Sequence, residues 1–215
     1  MSDALLHGYF RSSAAFRVRI ALNLKGLAYD QTFRHLRKGE QRAPDYLKLN
    51  PMGLVPALEI DGQILTQSLA IIEYLDETRP NPALMPKDAA GRARVRSLSL
   101  SLAAEIHPIN NLRVLEDLRS RFGADDAAVA RWFRHWVEVT FAPLETRLAS
   151  EAHTGKFCHG DTPGLADICL VPQVINNTRF DVDMTPYPTI ARIHKACLEL
   201  DAFKNALPAN QPDAE

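Results

Sequence analysis

The fold is decided by the stretch Val55-Pro56-Ala57-Leu58-Glu59-Ile60-Asp61-Gly62-Gln63-Ile64-Leu65-Thr66-Gln67-Ser68. Two short apolar runs, residues 57–60 and 63–65, are separated only by Asp61-Gly62. An Asp-Gly pair between apolar runs is the strongest short-range signal of a β-hairpin. Ser68 is a good helix N-cap, and the apolar residues after it recur at helical spacing to about Thr78. This stretch therefore predicts two antiparallel strands followed by a helix.

The residues before this hairpin predict an alternation of strands and helices. Residues 4–10 and 29–33 have the composition of short strands. Residues 17–24 place apolar side chains at helical spacing before Lys25-Gly26, and residues 44–49 form a short predicted helix. The order over the first 80 residues is βαβαββα, which is that of an α/β thioredoxin-like domain.

A proline-rich connector marks the predicted domain boundary. Pro80, Pro82 and Pro86 stiffen this segment and exclude a continuous helix. Beyond it, all the convincing patterns are helical, over residues 89–105, 110–122, 125–150, 165–180 and 188–200. We expect a thioredoxin-like domain at residues 1–82, an all-α domain at residues 87–215, and a frayed tail over residues 208–215.

Composition and charge exclude several classes of function. The chain carries 25 basic and 26 acidic side chains, so its net charge of -1 predicts neither nucleic-acid nor membrane binding. No window approaches the roughly 18 apolar residues of a membrane span, and we expect a soluble cytoplasmic protein. Three cysteines without CxxC spacing predict reduced thiols, no disulfide framework and no metal site.

The turn Arg11-Ser12-Ser13 lies between the first predicted strand and the first predicted helix. The free N–H groups and the dipole of a helix N-terminus favour negative charge there. A free thiol has a pKa of about 8.5, and a helix N-terminus with a hydroxyl donor lowers it towards neutrality. Ser12 or Ser13 is therefore the predicted activator of a thiol; the alternative is that both serines only cap the helix.

Two further candidate sites are Val55-Pro56 and Gln67-Ser68. A cis bond before Pro56 would turn the N–H and C=O of Val55 outward to pair with a peptide-like ligand; a trans proline is the alternative. The helix start at Ser68 can bind a carboxylate, with the Gln67 amide as a second anchor, or it is merely a cap. A thioredoxin-like topology brings these two sites and the Arg11-Ser12-Ser13 turn to one sheet edge. The turn, Val55-Pro56 and Gln67-Ser68 then match, in that order, the sulfur, the cysteinyl backbone and the γ-glutamyl carboxylate of glutathione.

Several segments together carry a family resemblance. They are Tyr9-Phe10-Arg11-Ser12-Ser13, Arg17-Val18-Arg19-Ile20-Ala21-Leu22, Asn50-Pro51-Met52-Gly53-Leu54-Val55-Pro56-Ala57-Leu58, Gln67-Ser68-Leu69-Ala70-Ile71-Ile72-Glu73-Tyr74-Leu75, Ile106-His107-Pro108-Ile109-Asn110-Asn111-Leu112-Arg113-Val114-Leu115, Asp161-Thr162-Pro163, Leu165-Ala166-Asp167 and Leu170-Val171-Pro172-Gln173. With them, nearly the whole chain resembles the zeta class of glutathione transferases, the family of maleylacetoacetate and maleylpyruvate isomerases. The resemblance implies a glutathione transferase fold, glutathione as cofactor and a homodimer.

Two positions depart from the family pattern. The family usually has Ser-Ser-Cys at the active turn, whereas the third place here is Ala14, so no catalytic cysteine carries over. The family's buried helix cap is commonly Ser or Thr, whereas this chain has Gly164 three residues before Asp167. Asp167 can still reach back to the N–H of Gly164, and we assign it a role in folding.

The resemblance also implies contacts with cofactor and substrate. His107 and Asn111 match positions that face glutathione and the substrate in the isomerases. Arg11, Arg113 and Arg179 match positions around the active cleft and suit a dianionic diketo acid, because arginine's fork fits carboxylates. Solvated surface arginines are the alternative for these three. Two more arginines, Arg17 and Arg19, lie within the first predicted helix, and we interpret both as structural.

The predicted function is glutathione-dependent cis-trans isomerisation of maleylpyruvate or maleylacetoacetate in aromatic-compound or tyrosine catabolism. Two alternatives remain open. The first is a glutathione transferase that conjugates or dehalogenates small electrophiles such as α-halo acids. The second is a non-catalytic binding module with the same fold, which the intact Ser12, Val55-Pro56 and Gln67-Ser68 set disfavours.

Overall fold

The structure, a computed structural model, describes residues 4–215. These residues form two compact units, of which the first runs to Leu84 and also includes Leu198–Glu215, and the second is Met85–Cys197. The first unit holds a four-stranded sheet with helices, and the second is helical. The predicted fold class, a thioredoxin-like α/β domain followed by a helical domain, is confirmed.

The sheet of the first unit combines one parallel and two antiparallel strand pairs. Its strands are β1 (Ala4–Gly8), β2 (Asp30–Phe33), β3 (Ala57–Ile60) and β4 (Gln63–Thr66), in the spatial order β2-β1-β3-β4. β1 and β2 are parallel, whereas β3 is antiparallel to both of its neighbours. The parallel pair needs a crossover helix, which the chain supplies between the two strands.

The predicted Asp-Gly hairpin is present between β3 and β4. Asp61 has φ 53° and Gly62 has φ 71°. A two-residue turn of type I′ needs positive φ at both of its central positions, which Asp and Gly tolerate better than other residues. The turn therefore sets the register of the hairpin, in which Ala57 pairs with Thr66.

Three helices complete the α/β part of the first unit: α1 (Ser13–Leu24), α2 (Pro44–Leu49) and α3 (Ser68–Thr78). α1 is buried along most of its length, including the side chains of Arg17 and Arg19. A buried guanidinium requires hydrogen-bond partners. Arg17 donates to Ser68 of α3, and Arg19 donates to two backbone carbonyls.

The second unit consists of α4 (Ala89–Leu100), α5 (His107–Ile109), α6 (Leu112–Phe122), α7 (Asp126–Ser150), α8 (Leu165–Asn177) and α9 (Pro188–Cys197). A π-helical stretch, Ser101–Ile106, links α4 to α5 and ends two residues before Pro108. Proline has no N–H and disturbs the preceding turn, and the helix is widened over the residues that lead into it.

α8 forms the centre of the helical unit, and its start is fixed by Asp167. The Asp167 carboxylate accepts from the N–H of Gly164 at 2.9 Å and from the N–H of Cys158 at 2.8 Å. The predicted contact between Asp167 and Gly164 is confirmed. Because glycine has no side chain, only this half of a capping box is formed.

The C-terminal segment corrects two predictions. Residues 198–215 were assigned to the helical domain, but they belong to the first unit, where α10 (Asp201–Lys204) packs against α1. The prediction of a frayed tail over residues 208–215 is wrong, because Asp213 accepts a hydrogen bond from the N–H of Phe10 at 2.9 Å. Both errors have one cause: the partners are about 200 residues away along the chain, so no local pattern reports them.

Candidate active site

The sheet register brings three predicted sites to one edge of the first unit. His7, near the end of β1, pairs with Ala57 at the start of β3, and Ala57 pairs with Thr66 at the end of β4. The Arg11-Ser12-Ser13 turn follows β1, Val55-Pro56 precedes β3, and Gln67-Ser68 follows β4. The register thus places the three sites at the same edge, as a thioredoxin-like topology predicts.

Ser12 is the N-cap of α1. Its N–H donates to Tyr9 O at 2.9 Å, and its Oγ accepts from the N–H of Ala15 at 3.2 Å. A hydroxyl can accept and donate at the same time. Ser12 can therefore cap the helix and still donate its proton to a ligand sulfur, so the capping and activating interpretations are compatible.

Ser13 differs from its neighbour because it is the first residue of the helix and is buried, with 8% of its surface exposed. Its N–H belongs to the first turn, whose amides have no partner within the helix. Arg11, on the other side of Ser12, is half-buried, and its guanidinium carbon lies 4.9 Å from the centroid of the Phe10 ring. The turn thus carries a hydroxyl, helix N–H groups and a cation.

The loop before β3 is held by side-chain contacts to one carbonyl. Leu54 O accepts from the hydroxyl of Tyr46 and from Nδ2 of Asn50, both at 2.7 Å. The Val55-Pro56 bond is cis, which decides between the two alternatives that the sequence left open. Two hydrogen bonds to the carbonyl of Leu54 therefore hold the backbone next to Val55 in place.

The start of α3 has an unusual backbone and a buried cation. Gln67 has φ 67°, a conformation that non-glycine residues rarely adopt and that is concentrated at functional sites. Ser68 is buried, and Nη1 of Arg17 lies 3.4 Å from its Oγ. The sequence-based interpretation of Arg17 as merely structural missed this contact. The signal in the sequence was a pair of arginines, Arg17 and Arg19, in a largely apolar helix.

The predicted site residues of the second unit lie in the segment that contains α5 and α6 and in a short turn after α8. Asn111 is the N-cap of α6, and its Oδ1 accepts from the N–H of Arg113 at 3.3 Å. His107 begins the short α5, directly after the π-helical stretch. Arg179 lies in the 3-10 turn Thr178–Phe180 and donates from Nη1 to Asn176 Oδ1 at 3.1 Å. The side-chain oxygen of Asn111 is therefore engaged in capping.

Comparison with known proteins identifies the family. Residues 11–78 match the family model of the glutathione S-transferase N-terminal domain. The chain is 51% identical to a probable maleylacetoacetate isomerase of Vibrio cholerae, with 100% of each chain covered. It is also 51% identical to a maleylpyruvate isomerase of Ralstonia, over 97% of this chain and 99% of the relative. The protein belongs to the zeta class of glutathione transferases.

Solved zeta-class and isomerase structures have the same fold. A holo maleylpyruvate isomerase described as a bacterial zeta-class glutathione transferase has a TM-score of 0.96 at 50% identity, covering 98% of this chain and 100% of that chain. A maleylacetoacetate isomerase of Methylobacterium extorquens with bound malonate and GSH has a TM-score of 0.94 at 45% identity, with coverages of 98% and 99%.

This zeta-class chain has no cysteine at its active turn, where Ala14 stands, and its three thiols lie elsewhere. Cys158, Cys169 and Cys197 are all buried and free. Burial raises the pKa of the Cys158 and Cys197 thiols well above the usual range. Since a thiolate is the nucleophilic form, these cysteines have the character of core residues.

Residues 4–215, the part that the structure describes, contain neither a membrane-spanning helix nor a metal cluster. No helix in that range is long and apolar enough to cross a membrane. Within the same range, no group of three or more His, Cys, Asp or Glu side chains could hold a metal ion.

Proposed function

We propose that the protein is a glutathione-dependent cis-trans isomerase of maleyl diketo acids, either maleylpyruvate or maleylacetoacetate. The observation that carries the proposal is the sheet register, which aligns the Ser12 cap, Val55-Pro56 and Ser68 at one edge. Relatives about half identical over nearly the whole chain bear the names of these isomerases.

Glutathione fits the chemistry of this edge. Its γ-glutamyl carboxylate would bind at the start of α3, to the N–H and hydroxyl of Ser68 and the amide of Gln67. The buried Arg17 guanidinium, 3.4 Å from the Ser68 hydroxyl, supplies the positive charge that a carboxylate needs when it leaves water. The backbone of Val55 would pair with the cysteinyl backbone of the ligand.

The thiol of the cofactor would lie at the N-terminus of α1. The partial positive charge of the helix end and the Ser12 hydroxyl both favour a thiolate over a thiol. We assign the hydroxyl role to Ser12 rather than Ser13, because Ser12 precedes the helix and can donate while it caps. When bound, glutathione supplies a thiol that adds to the cis double bond of the substrate and leaves again after rotation about that bond.

The substrate is a dianion and needs cationic partners. We assign its carboxylates to Arg11, Arg113 and Arg179, whose guanidinium forks can bind a carboxylate through two parallel hydrogen bonds. These arginines would also stabilise the negative charge that develops on the substrate carbonyl, which is usually the largest contribution to catalysis of this kind. His107 and Asn111 are assigned contacts with cofactor and substrate.

We further propose that the first unit is the glutathione-binding domain and the second the substrate-binding domain, and that the protein is a cytoplasmic homodimer. Family resemblance supports the dimer. Three buried free thiols suit a reducing compartment, where disulfides are rare.

The deciding experiment follows maleylpyruvate and maleylacetoacetate spectroscopically, with and without glutathione. We expect isomerisation of at least one compound that depends on glutathione. If folded protein that binds glutathione isomerises neither, the proposal fails. Halide release from an α-halo acid in the same preparation would then identify the alternative transferase chemistry.

A further inference from the structure

Both backbone polar groups of Phe10 are hydrogen-bonded within a network that includes the C-terminal segment. The N–H of Phe10 donates to Oδ2 of Asp213 at 2.9 Å. The carbonyl of Phe10 accepts from Nη2 of Arg19 at 3.1 Å, and Nε of the same guanidinium donates to Ala206 O at 3.1 Å. The N–H of Phe10 is therefore bound directly to the C-terminal segment, and its carbonyl is bound to that segment through Arg19.

Phe10 precedes Ser12, the residue of the proposed thiol site, by two positions. The carbonyl of its neighbour Tyr9 accepts the N–H of Ser12, which in turn caps α1. The Phe10 side chain is buried with Tyr9, Tyr46 and Val55. A shift of the Phe10 peptide would therefore move Ser12 and the first N–H groups of α1, where misplacement of even about 1 Å can be costly for catalysis.

The charges of this network balance each other. The Arg19 side chain is only 1% exposed, and burial lowers its pKa to about 10, while Tyr29 and then Asp213 act in the opposite direction. The guanidinium stays protonated at neutral pH and offsets the negative charge of Asp213. The carboxylate can thus hold the Phe10 N–H without a large net field opposing a thiolate at the turn.

We propose that Asp213 and Arg19 are positioning residues of the thiol site: they fasten the Phe10 peptide and thereby hold Ser12 and the N-terminus of α1 in the geometry that stabilises a bound thiolate. The inference rests on the proposed function only in that Ser12 receives the thiol of glutathione. It gives the C-terminal segment a function beyond covering α1.

The competing explanation is that the segment only stabilises the fold. A second contact of the C-terminal segment serves as the control: His35 Nε2 lies 2.9 Å from Oε1 of Glu215. This contact does not involve Phe10. Glu215→Gln therefore weakens the attachment of the tail without touching the fastened peptide. Asp213→Asn keeps an oxygen that can accept from Phe10, whereas Asp213→Ala removes the acceptor.

The test compares Asp213→Ala, Asp213→Asn and Glu215→Gln with the parent protein. The pKa of bound glutathione is measured from the ultraviolet absorbance of its thiolate, and amide hydrogen exchange of Ser12 is measured without glutathione. In Asp213→Ala we expect the thiol pKa to rise by about one unit and Ser12 exchange to accelerate about tenfold. At neutral pH, kcat should fall about tenfold with KM for glutathione changed less than about threefold.

Asp213→Asn and Glu215→Gln should stay within about twofold of the parent in every readout. The inference is overturned if Asp213→Ala loses only thermal stability while its thiol titration and Ser12 exchange match the parent. It is equally overturned if Asp213→Asn is as impaired as Asp213→Ala. If the parent protein forms the glutathione thiolate but isomerises neither maleyl compound, only the proposed function fails. Amide exchange of Ser12 tests the positioning role of Asp213 even without glutathione.

Discussion

Nη1 of Arg17 lies 3.4 Å from Oγ of Ser68, and both residues are buried. The contact joins the middle of α1 to the first residue of α3 and places a cation at a helix N-terminus. A buried guanidinium and a helix start together make a strong site for a carboxylate. The γ-glutamyl carboxylate of glutathione is the ligand group that this pair would bind.

Arg17→Met is expected to raise the dissociation constant of glutathione more than about tenfold, because a charge-assisted hydrogen bond to a carboxylate is lost. Calorimetric titration measures the change. Cysteinylglycine, which lacks the γ-glutamyl group, should bind the variant and the parent equally. Undiminished affinity for glutathione in a folded Arg17→Met protein would remove this residue from the site.

Ser12→Ala and Ser13→Ala should differ sharply. Loss of the Ser12 hydroxyl removes both the thiol donor and the cap on Ala15, so kcat should fall about 100-fold and stability by about 1 kcal/mol. Ser13→Ala should lower kcat less than about threefold, since its side chain is not the cap. Turnover and urea unfolding measure the two effects.

Ser12→Thr is the matched control, because threonine keeps a hydroxyl and is a competent N-cap. It should retain most of the helix stability and a larger part of the turnover than Ser12→Ala. Equal, small effects of the two alanine substitutions would instead assign thiol activation to the N–H groups of α1.

Replacing Arg11, Arg113 or Arg179 by alanine should chiefly raise the KM for the dianionic acid, by about tenfold each, since each is assigned a substrate carboxylate. Steady-state kinetics at saturating glutathione provide the measurement. Arg121→Ala is the control, because this arginine is exposed and pairs with Asp117 within α6 at 2.7 Å. An unchanged KM in any of the three variants would exclude that arginine from substrate binding.

Asp167→Asn should destabilise the protein without affecting glutathione affinity. Both carboxylate oxygens accept backbone N–H groups, from Cys158 and Gly164, and an asparagine side chain has only one oxygen. An unsatisfied buried N–H costs about 1–3 kcal/mol. Denaturant unfolding measures the loss, and calorimetry of glutathione binding provides the comparison. Parent-like stability would contradict the folding role of Asp167.

Glu151 predicts a component of stability that depends on pH. A hydrogen bond from Arg147 lowers the pKa of the Glu151 carboxyl. Partial burial acts in the opposite direction, and a second hydrogen bond, from Arg94, lowers the pKa further. A folded-state pKa below the unfolded value stabilises the protein above the unfolded pKa of about 4.3. That stability is lost as the pH falls through the lower, folded-state pKa.

Glu151→Gln should therefore cost about 0.5–1 kcal/mol at pH 7, a range that allows for solvent screening of this half-exposed group. The difference from the parent should be smaller at pH 3 than at pH 7, because the unfolded state of the parent is protonated at the lower pH. Guanidinium unfolding at the two pH values measures it, with Glu116→Gln on the exposed face of α6 as control. A difference independent of pH would refute the assignment.

Local chemistry made much of the fold and site predictable. The Asp61-Gly62 turn and the cap at Ser12 each depend on residues within a few positions of one another. Such features follow from dihedral preferences and short-range hydrogen bonds, which adjacent side chains determine. Once the strand order was inferred, the shared sheet edge followed from the alternation of strand directions.

The buried arginines could not be assigned in the same way. Arg17 and Arg19 occur two residues apart in one apolar helix, and nothing in that pattern distinguishes the neighbour of Ser68 from the neighbour of Phe10. A buried guanidinium is held by whatever acceptors the packing brings to it. Those acceptors come from α3 and from the C-terminal segment.

The sequence by itself determined the two-part architecture, the turn that bears Ser12 and the family to which the chain belongs. Only the tertiary structure decided that Arg17 reaches Ser68 and that Asp213 fastens the peptide of Phe10. The physical reason is the range of the interactions. Caps and turns are local and leave a pattern in the sequence. The hydrogen bond between Arg17 and Ser68 spans 51 positions of the chain and the one between Phe10 and Asp213 spans 203, so both depend on how the elements pack.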